Sequence, residues 1–295
     1  MLWGWVHAPN PGLAHAPNPN GDCLWEDGGV GYRIMGILNV TPDSFSDGGH
    51  YLDAAAAIEH GLQMAAQGAA IIDVGGESTR PGSRAIDAAA ELERVVPVIE
   101  GLAAARPAAT ISIDTSKLEV ARAALDAGAS FVNDVTAFRG APAIAALVAA
   151  RGAECCLVHM QGEPATMQRS PHYEDVVGEV GAFLRERVDF ALQAGIARER
   201  ILIDPGIGFG KTLAHNLELL DRLDELAALG QGVLIGTSRK SFLGALAGGG
   251  ERDRLAGTIA TNVIALLRGA SVFRVHDVAA VRDALEVAAA TVSSR

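Results

Sequence analysis

Polar side chains that could do chemistry recur in this chain directly after short apolar runs. Asp114, Asn133 and Asp204 each follow such a run, and Arg274 and His276 stand at the end of the last one. Carboxylates and amides can accept hydrogen bonds from a small ligand, and a guanidinium can bind an anion. The pattern therefore indicates that chemistry takes place where strands end.

The elements that position these side chains repeat eight times along the chain, each as an apolar run followed by an alanine-rich helical stretch. The runs are continuously apolar, which is typical of parallel strands buried on both faces. Eight such units predict an α/β fold, a single-domain (β/α)8 TIM barrel, whose active site lies at the C-terminal ends of its strands. The predicted strands are residues 34–38, 70–74, 111–113, 131–132, 155–158, 201–203, 233–235 and 272–275. The predicted helices are residues 53–67, 91–104, 118–127, 173–194, 216–229, 256–268 and 278–290.

Composition limits the class of protein. With 295 residues, 49% hydrophobic and 20% charged, the chain can bury one substantial core. The sequence has no apolar stretch long enough to span a bilayer, and it has no signal peptide. These two observations predict a cytoplasmic protein without a membrane partner. Three cysteines, Cys23, Cys155 and Cys156, are expected to stay reduced.

Net charge is −11, which argues against a nucleic-acid partner. It leaves room for an anionic small substrate. Arg80, Arg239, Lys240 and Arg274 follow predicted strands and would form a local positive pocket, to which Mg²⁺ could add.

Residues 1–30 differ from the remainder of the chain because a His-Ala-Pro-Asn-Pro segment occurs in them twice. Asn-Pro steps favour turns or extended chain over helix. We expect residues 1–30 to be a flexible leader, or a flap over the closed end of the barrel, and residues 31–295 to form the barrel.

One glycine-rich segment invites a nucleotide-binding interpretation that its spacing excludes. DPGIGFGKT at 204–212 has Pro205 where a Walker A loop needs glycine, and Lys211 where a dinucleotide fingerprint needs glycine. The other clusters that follow strands are MGILNVTPDSFSDGG at 35–49, IDVGGESTRPG at 72–82, SIDTSK at 112–117, FVNDV at 131–135, GTSRKSFLG at 236–244 and RVHDV at 274–278.

These seven clusters, taken in their order along the chain, resemble the dihydropteroate synthase family from about Met35 to the end of the chain. The resemblance implies a transferase of folate biosynthesis. Its substrates would be 6-hydroxymethyl-7,8-dihydropterin diphosphate and 4-aminobenzoate, and its products 7,8-dihydropteroate and diphosphate. It also implies a Mg²⁺ cofactor, inhibition by sulfonamides and a homodimer.

By the same resemblance, Asp204 and Asn133 would bind the hydrogen-bonding edge of the pterin. Lys240 would donate to the pterin oxygen and ring nitrogen, Arg274 would stack on its face, and Asp114 would be the carboxylate beside the ring. Asn39 would bind Mg²⁺. The diphosphate would be bound by Thr79, Arg80, Arg274 and His276, and the catalytic group would comprise Asp114, Lys240, Arg274 and His276.

The resemblance further implies a slot for the arylamine formed by Phe45, Pro81 and Phe209, with Ser241 holding the carboxylate at a helix N-terminus. We expect His159 to shape the floor of the pocket, and Lys211 and His215 to be loop or surface residues. Two alternatives stay open: a methyltetrahydrofolate:corrinoid methyltransferase, and a non-catalytic relative on the same scaffold. Both should lack part of the arylamine or diphosphate contacts, which this sequence retains.

Overall fold

The structure is a computed structural model that describes residues 31–41, 50–78, 83, 85–248 and 253–293. Within these ranges eight parallel strands pair in chain order and close into a barrel, with β8 beside β1. The strands are β1 Arg33–Asn39, β2 Ile71–Gly75, β3 Thr110–Asp114, β4 Phe131–Asp134, β5 Glu154–Val158, β6 Ile201–Asp204, β7 Gly232–Ile235 and β8 Ala270–Val275. The predicted (β/α)8 architecture is confirmed.

Helices follow the strands and form the outer layer. They are α1 His50–Ala66, α2 Ala88–Ala105, α3 Leu118–Asp126, α4 Ala143–Arg151, α5 Val176–Gln193, α6 Leu213–Asp221, α7 Leu223–Ala227, α8 Ser241–Leu246, α9 Leu255–Leu267 and α10 Val278–Ser293. No helix in these described ranges has the length and apolarity to cross a membrane. The proposed leader, residues 1–30, lies outside the described residues.

Two features of the helical layer differ from the sequence prediction. Helix α4 was not predicted, because its sequence AIAALVAAR is apolar almost throughout and shows no polar face. The predicted helix at 216–229 is instead two helices, α6 and α7, which meet at Arg222. The Arg222 backbone has φ −105° and ψ 28°, outside the helical range, and its guanidinium bridges Glu218 and Glu225 on either side of the break.

Two apolar cores flank the strands. The larger lies between the barrel and the helices, and the smaller fills the lumen with side chains that include Met35, Phe131 and Leu234. Cys155 belongs to the outer core and Cys156 to the inner one, so these neighbouring thiols point to opposite faces of β5 as predicted.

The lumen changes character along the barrel axis. At its N-terminal end Arg33 and Glu154 form an ion pair at 2.8 Å, and the apolar inner core follows. Toward the C-terminal ends of the strands, the same lumen-facing rows carry polar residues. Parallel pairing places Asp73 beside Ser112 and Asp114 beside Asn133, so the polar residues of adjacent strands meet at one level.

Candidate active site

The candidate site is the polar end of the lumen, where five strands each contribute a side chain. Its members are Asp73 on β2, Asp114 on β3, Asn133 on β4, Asp204 on β6 and Arg274 on β8. Side chains from strands that are far apart in sequence therefore meet at one end of the lumen. The structure brings together four of the residues predicted for the pterin and adds Asp73, which was not predicted.

Arg274 is bound by two carboxylates. Its Nε donates to Asp73 Oδ2 at 2.6 Å, and its Nη2 donates to Asp114 Oδ2 at 2.7 Å. Although burial opposes it, attraction to Asp73 and Asp114 raises the pKa of Arg274. The guanidinium is therefore a permanent cation, held in one plane at the mouth of the barrel.

Asp73 was missed because β2 was interpreted as continuously apolar. Its side chain is fully buried and accepts hydrogen bonds from three donors: Ser112 Oγ at 2.6 Å, Asn133 Nδ2 at 3.0 Å and Arg274 Nε at 2.6 Å. A charged residue inside an otherwise apolar strand was the signal that could have found it, since buried charges need partners.

Asn133 has a buried acceptor atom without a partner in the described structure. Its Nδ2 donates to Asp73 Oδ2, whereas its buried Oδ1 has no hydrogen-bond partner among the described residues. A buried polar atom without a partner is costly unless a ligand supplies one. The amide is therefore positioned to accept a hydrogen bond from an N–H group of a ligand.

Asp204 ends β6 and is buried, with 6% of its surface exposed. Its Oδ1 accepts from Gly206 N at 2.7 Å, which fixes the carboxylate at the start of the following loop. Burial raises the pKa of Asp204, and the nearby Lys240 opposes that shift. The Oδ1 atom accepts the bond from Gly206 N, and Oδ2 has no hydrogen bond among the described residues.

Lys240 lies on the other side of the same loop. Its ammonium donates to the Ile207 carbonyl and stands 4.5 Å from the centroid of the Phe209 ring. Burial lowers the pKa of Lys240 to about 8, against the pull of Asp204. Lys240 is therefore a cation near neutral pH that loses its charge within a mildly alkaline range.

The loop between β6 and α6 approaches the neighbouring backbone too closely for a side chain at one position. Gly206 has φ +67°, and a Cβ there would lie 1.8 Å from the carbonyl oxygen of His159. Only glycine fits such a contact. The close approach lets His159 N donate to Asp204 O at 2.9 Å and ties the end of β5 to the end of β6.

Lys211 lies in a loop, which is one of the two places predicted for it, but it is buried. Only 3% of it is exposed, and its Nζ lies 2.9 Å from His159 Nδ1 and 3.1 Å from the Phe209 carbonyl oxygen. Burial lowers the pKa of Lys211 to about 7. Burial and the nearby Lys211 charge lower the pKa of His159 to about 2. His159 is thus a neutral, buried acceptor that also packs edge-on against Phe183, and His215 caps α6 through Thr212.

His276 is oriented by Ser238. The Ser238 hydroxyl accepts from His276 N at 3.1 Å and lies 3.0 Å from His276 Nδ1. Because the hydroxyl oxygen already accepts from the backbone, its own proton is available to donate to Nδ1. When the hydroxyl donates to Nδ1, the ring proton lies on Nε2 and is available to an acceptor.

Arg239, one of the cations expected to line the pocket, instead forms an ion pair with Asp277. Its guanidinium binds both carboxylate oxygens of Asp277 at 2.5 and 3.0 Å, and 55% of its side chain is exposed. The positive charge that faces the cavity therefore comes from Lys240 and Arg274 among the described residues.

Asn39 and Asp114 direct oxygens toward the same part of the lumen. A Cβ built on Gly75 would lie 3.9 Å from Asn39 Oδ1 and 3.8 Å from Asp114 Oδ2. No group of three or more His, Cys, Asp or Glu side chains in the described ranges could hold a metal by itself. Mg²⁺ binds few protein oxygens and completes its shell with water and substrate phosphates, so the donor set fits a substrate-dependent magnesium site.

Asp114 has a pKa at which its protonation state changes near neutral pH. Burial raises the pKa of Asp114 to about 7, although Arg274 opposes the shift; Asp73 adds to it. The carboxyl therefore passes between neutral and charged forms near physiological pH.

The remaining predicted residues belong to loops. Ser241 begins α8 and is exposed, as its predicted place at a helix N-terminus requires. The base of the loop after β2 is held by Lys117, which binds both Glu77 and Glu91. Phe45, Thr79, Arg80 and Pro81 lie outside the described residues.

Comparison with known proteins places this geometry in a family. The family model described as pterin binding enzyme matches residues 35–276. Dihydropteroate synthase from Escherichia coli K12 is 48% identical over 89% of this chain and 93% of its own length. Among solved structures, Xanthomonas albilineans dihydropteroate synthase with 4-aminobenzoic acid is 50% identical, with a TM-score of 0.82 over 88% of this chain and 93% of that one. Yersinia pestis dihydropteroate synthase in a sulfonamide drug complex is 44% identical, with a TM-score of 0.83 over 89% and 94% of the two chains.

Proposed function

The chain belongs to the pterin-binding enzyme family, among its dihydropteroate synthases, and from this premise we propose how its residues carry out the reaction. The enzyme is a transferase of folate biosynthesis and a target of sulfonamides. It joins 6-hydroxymethyl-7,8-dihydropterin diphosphate to 4-aminobenzoate, giving 7,8-dihydropteroate and diphosphate.

The pair of open acceptors in the lumen is the observation that carries the residue assignment. A pterin presents its 2-amino group and a ring N–H on one edge. Asp204 offers a buried carboxylate oxygen to that edge, and Asn133 offers a buried Oδ1 without a partner in the described structure. Acceptors matched to donors in a buried site give both affinity and orientation.

Lys240 and Arg274 complete the pterin site. The Lys240 ammonium, adjacent to Asp204, would donate to the ring carbonyl oxygen and a ring nitrogen. The Arg274 guanidinium, fixed in its plane by Asp73 and Asp114, would stack on the flat face of the ring.

Bond cleavage is mainly a matter of stabilising charge. The bond between the pterin methylene and the diphosphate oxygen breaks, and its electron pair leaves with the diphosphate. Asp114 in its carboxylate form would stabilise the cationic pterin that remains, while Arg274 and His276 Nε2 would stabilise the departing anion. We propose the same diphosphate role for Thr79 and Arg80 from the family resemblance.

Asn39 is the residue proposed to hold Mg²⁺, through its Oδ1. When bound, this ion supplies positive charge to the leaving diphosphate. The position of Asn39 at the end of β1, with its oxygen toward Gly75 and Asp114, supports the assignment.

The arylamine completes the reaction by attacking the same methylene carbon with its nitrogen lone pair, after which the nitrogen releases a proton. A neutral arylamine is nucleophilic without a base. Phe209, which packs on the inner core beneath Lys240, would contact the benzoate ring together with Phe45 and Pro81. Ser241 at the start of α8 would bind the carboxylate.

We also propose a cytoplasmic homodimer whose barrel spans residues 31–295, with residues 1–30 as a leader. The dimer is supported by large apolar side chains that are at least 39% exposed on two contacting helices: Leu213 and Leu217 on α6, and Ile264 and Leu267 on α9. The cytoplasmic location is supported by the free thiols of Cys155 and Cys156.

Asp204→Asn tests the pterin assignment. The amide would offer donors to ligand donors, so we expect affinity for the pterin diphosphate, measured by calorimetry, to fall by roughly 100-fold. Asp134→Asn is the matched control, because Asp134 is also a buried carboxylate that accepts from the backbone of its own turn. Asp134→Asn should keep pterin affinity, and unchanged affinity in Asp204→Asn would remove Asp204 from the pterin site.

A further inference from the structure

Asp73 links three strands beneath the proposed pterin site without facing the cavity itself. Its Oδ1 accepts from Ser112 Oγ at 2.6 Å, and its Oδ2 accepts from Asn133 Nδ2 at 3.0 Å and Arg274 Nε at 2.6 Å. Its side chain has no exposed surface, whereas 11% of the Asp114 side chain is exposed. Asp114 is thus open to a ligand and Asp73 is not.

The first consequence concerns the orientation of the Asn133 amide. Asp73 Oδ2 also accepts from the Arg274 cation, and Asn133 turns its Nδ2 toward this acceptor. That choice leaves Asn133 Oδ1, and not the amide nitrogen, as the group without a partner. The pterin edge presents donors, and an amide turned the other way would oppose donor to donor.

The second consequence concerns Arg274. Asp73 binds Nε and Asp114 binds Nη2, so the two carboxylates define the plane of the guanidinium. Asp114 also contacts the ligand in the proposed function, and its interactions change when the ligand arrives or departs. Asp73 remains as the fixed anchor of the guanidinium throughout.

We propose that Asp73 is a positioning residue for the pterin: it orients Asn133 as an acceptor and holds the plane of Arg274 before the ligand binds. Asp73 acts only through these two side chains. The inference rests on the proposed function, because it assigns no ligand of its own.

A double-mutant cycle tests this coupling. Asp73→Asn and Asn133→Ala are made singly and together, and affinity for the pterin diphosphate is measured by calorimetry. We expect each single change to weaken binding by about tenfold, which corresponds to roughly 1.4 kcal/mol. In the Asp73→Asn background the Asn133→Ala change should then cost only about twofold, because the amide has already lost its orientation. A purely structural role would make the two effects multiply, and that result overturns the proposal.

Asp134→Asn is again the control, since it removes a buried charge from β4 without touching Asn133 Nδ2 or Arg274. Its effect on pterin affinity should multiply with that of Asn133→Ala. If the Asp134 cycle showed the same coupling as the Asp73 cycle, the coupling would reflect general softening of the barrel and the proposal would fail.

A measurement on the unaltered protein keeps the proposal testable if Asp73→Asn does not fold. The side-chain amide of Asn133, identified by the loss of its signal in Asn133→Ala, is followed by NMR hydrogen exchange without ligand. One slowly exchanging amide proton supports the bond to Asp73, and rapid exchange of both protons contradicts it. If the unaltered protein makes dihydropteroate but the effects of Asp73→Asn and Asn133→Ala on pterin affinity multiply, only the role of Asp73 is refuted. Unaltered protein that binds no pterin refutes the proposed function and this inference together.

Discussion

Burial shifts the pKa values of titratable side chains around the proposed pterin site toward neutral pH. The Asp114 carboxyl has its pKa raised to about 7, and the Lys240 ammonium has its pKa lowered to about 8. The proposed chemistry needs Asp114 charged to stabilise a cation and Lys240 charged to donate to the pterin. The two requirements overlap only within a narrow pH range.

The first residue-scale prediction is a bell-shaped pH profile of kcat/KM for the pterin diphosphate. The rate should rise with pH through about 7 as Asp114 loses its proton, and fall through about 8 as Lys240 loses its charge. Steady-state assays of diphosphate release across this range provide the measurement. Asp114→Asn should abolish the rising limb, and a rising limb of unchanged position in that variant would assign it to another group.

The second residue-scale prediction concerns Ser241, which begins α8 at the proposed carboxylate site. Ser241→Ala should raise KM for 4-aminobenzoate by about tenfold, the value of one lost hydrogen bond to a charged group, and leave KM for the pterin nearly unchanged. Ser130→Ala is the control: Ser130 directly precedes β4, at the end of the barrel away from the candidate site, and its loss should alter neither constant. Equal increases in both constants for Ser241→Ala would remove it from the arylamine site.

At the scale of elements, the loop between β6 and α6 carries several functional groups and is anchored on all sides. Lys240 binds its Ile207 carbonyl, Asn216 Oδ1 accepts from Gly208 N at 2.7 Å, and the Tyr173 hydroxyl donates to Gly210 O at 3.0 Å. Lys211 adds contacts from within the loop. These bonds give Phe209 and Asp204 fixed positions before either substrate binds.

Lys211 supplies the prediction that belongs to this element. Its pKa falls from the usual 10.5 to about 7 because of burial, so between these values the unfolded chain holds a proton that the folded protein has released. Raising the pH over this interval therefore favours the folded state. Urea unfolding at pH 7 and pH 9 should show wild-type stability rising relative to Lys211→Met by about 1 kcal/mol per pH unit.

Lys117→Met is the matched control for that experiment. Burial opposes the shift, but hydrogen bonds to Glu77 and Glu91 raise the pKa of Lys117 above 10.5. Lys117 therefore stays charged in both states from pH 7 to 9 and contributes no slope in that range. A stability difference between wild type and Lys211→Met that does not vary with pH would show that Lys211 is charged when buried.

The strands could be located from sequence because both of their faces are buried, which makes them apolar runs of recognisable length. The same property hid Asp73 and Ser112, whose side chains face the lumen at a level where it becomes polar. Helix α4 was missed because it lacks a polar face, and α5 begins at Val176, three residues after its predicted start at 173. Period and composition identify elements, but they do not report how far along a strand the lumen changes from apolar to polar.

The site residues show a similar division. Asp114, Asn133, Asp204, Lys240 and Arg274 were predicted from their positions after strands, together with a family resemblance, and the structure brings them together at the rim. Lys211 was expected to be a loop or surface residue, and its burial was not predicted. Its burial follows from Gly206, which lets the loop fold against His159, and that contact depends on the tertiary structure.

At the scale of the whole molecule, the barrel brings two cations and three carboxylates together at one end of an acidic chain. Net charge is −11, yet Lys240 and Arg274 stand at the mouth of the barrel, and acidic side chains such as Asp221 and Glu186 lie on the outer surface. The closed barrel separates the two ends of the lumen, because an apolar core lies between the Arg33–Glu154 ion pair at one end and the candidate site at the other. The groups proposed to bind substrate therefore lie at one end of the molecule.

The measurement that tests this account most directly is product formation by the purified full-length chain. Pterin diphosphate, 4-aminobenzoate and Mg²⁺ are supplied together and each is omitted in turn, with diphosphate and 7,8-dihydropteroate measured in parallel. The account predicts equal amounts of both products, dependence on both substrates, and competition between a sulfonamide and 4-aminobenzoate. Intact pterin binding without dihydropteroate formation, or methyl transfer from methyltetrahydrofolate to a corrinoid acceptor instead, would contradict it.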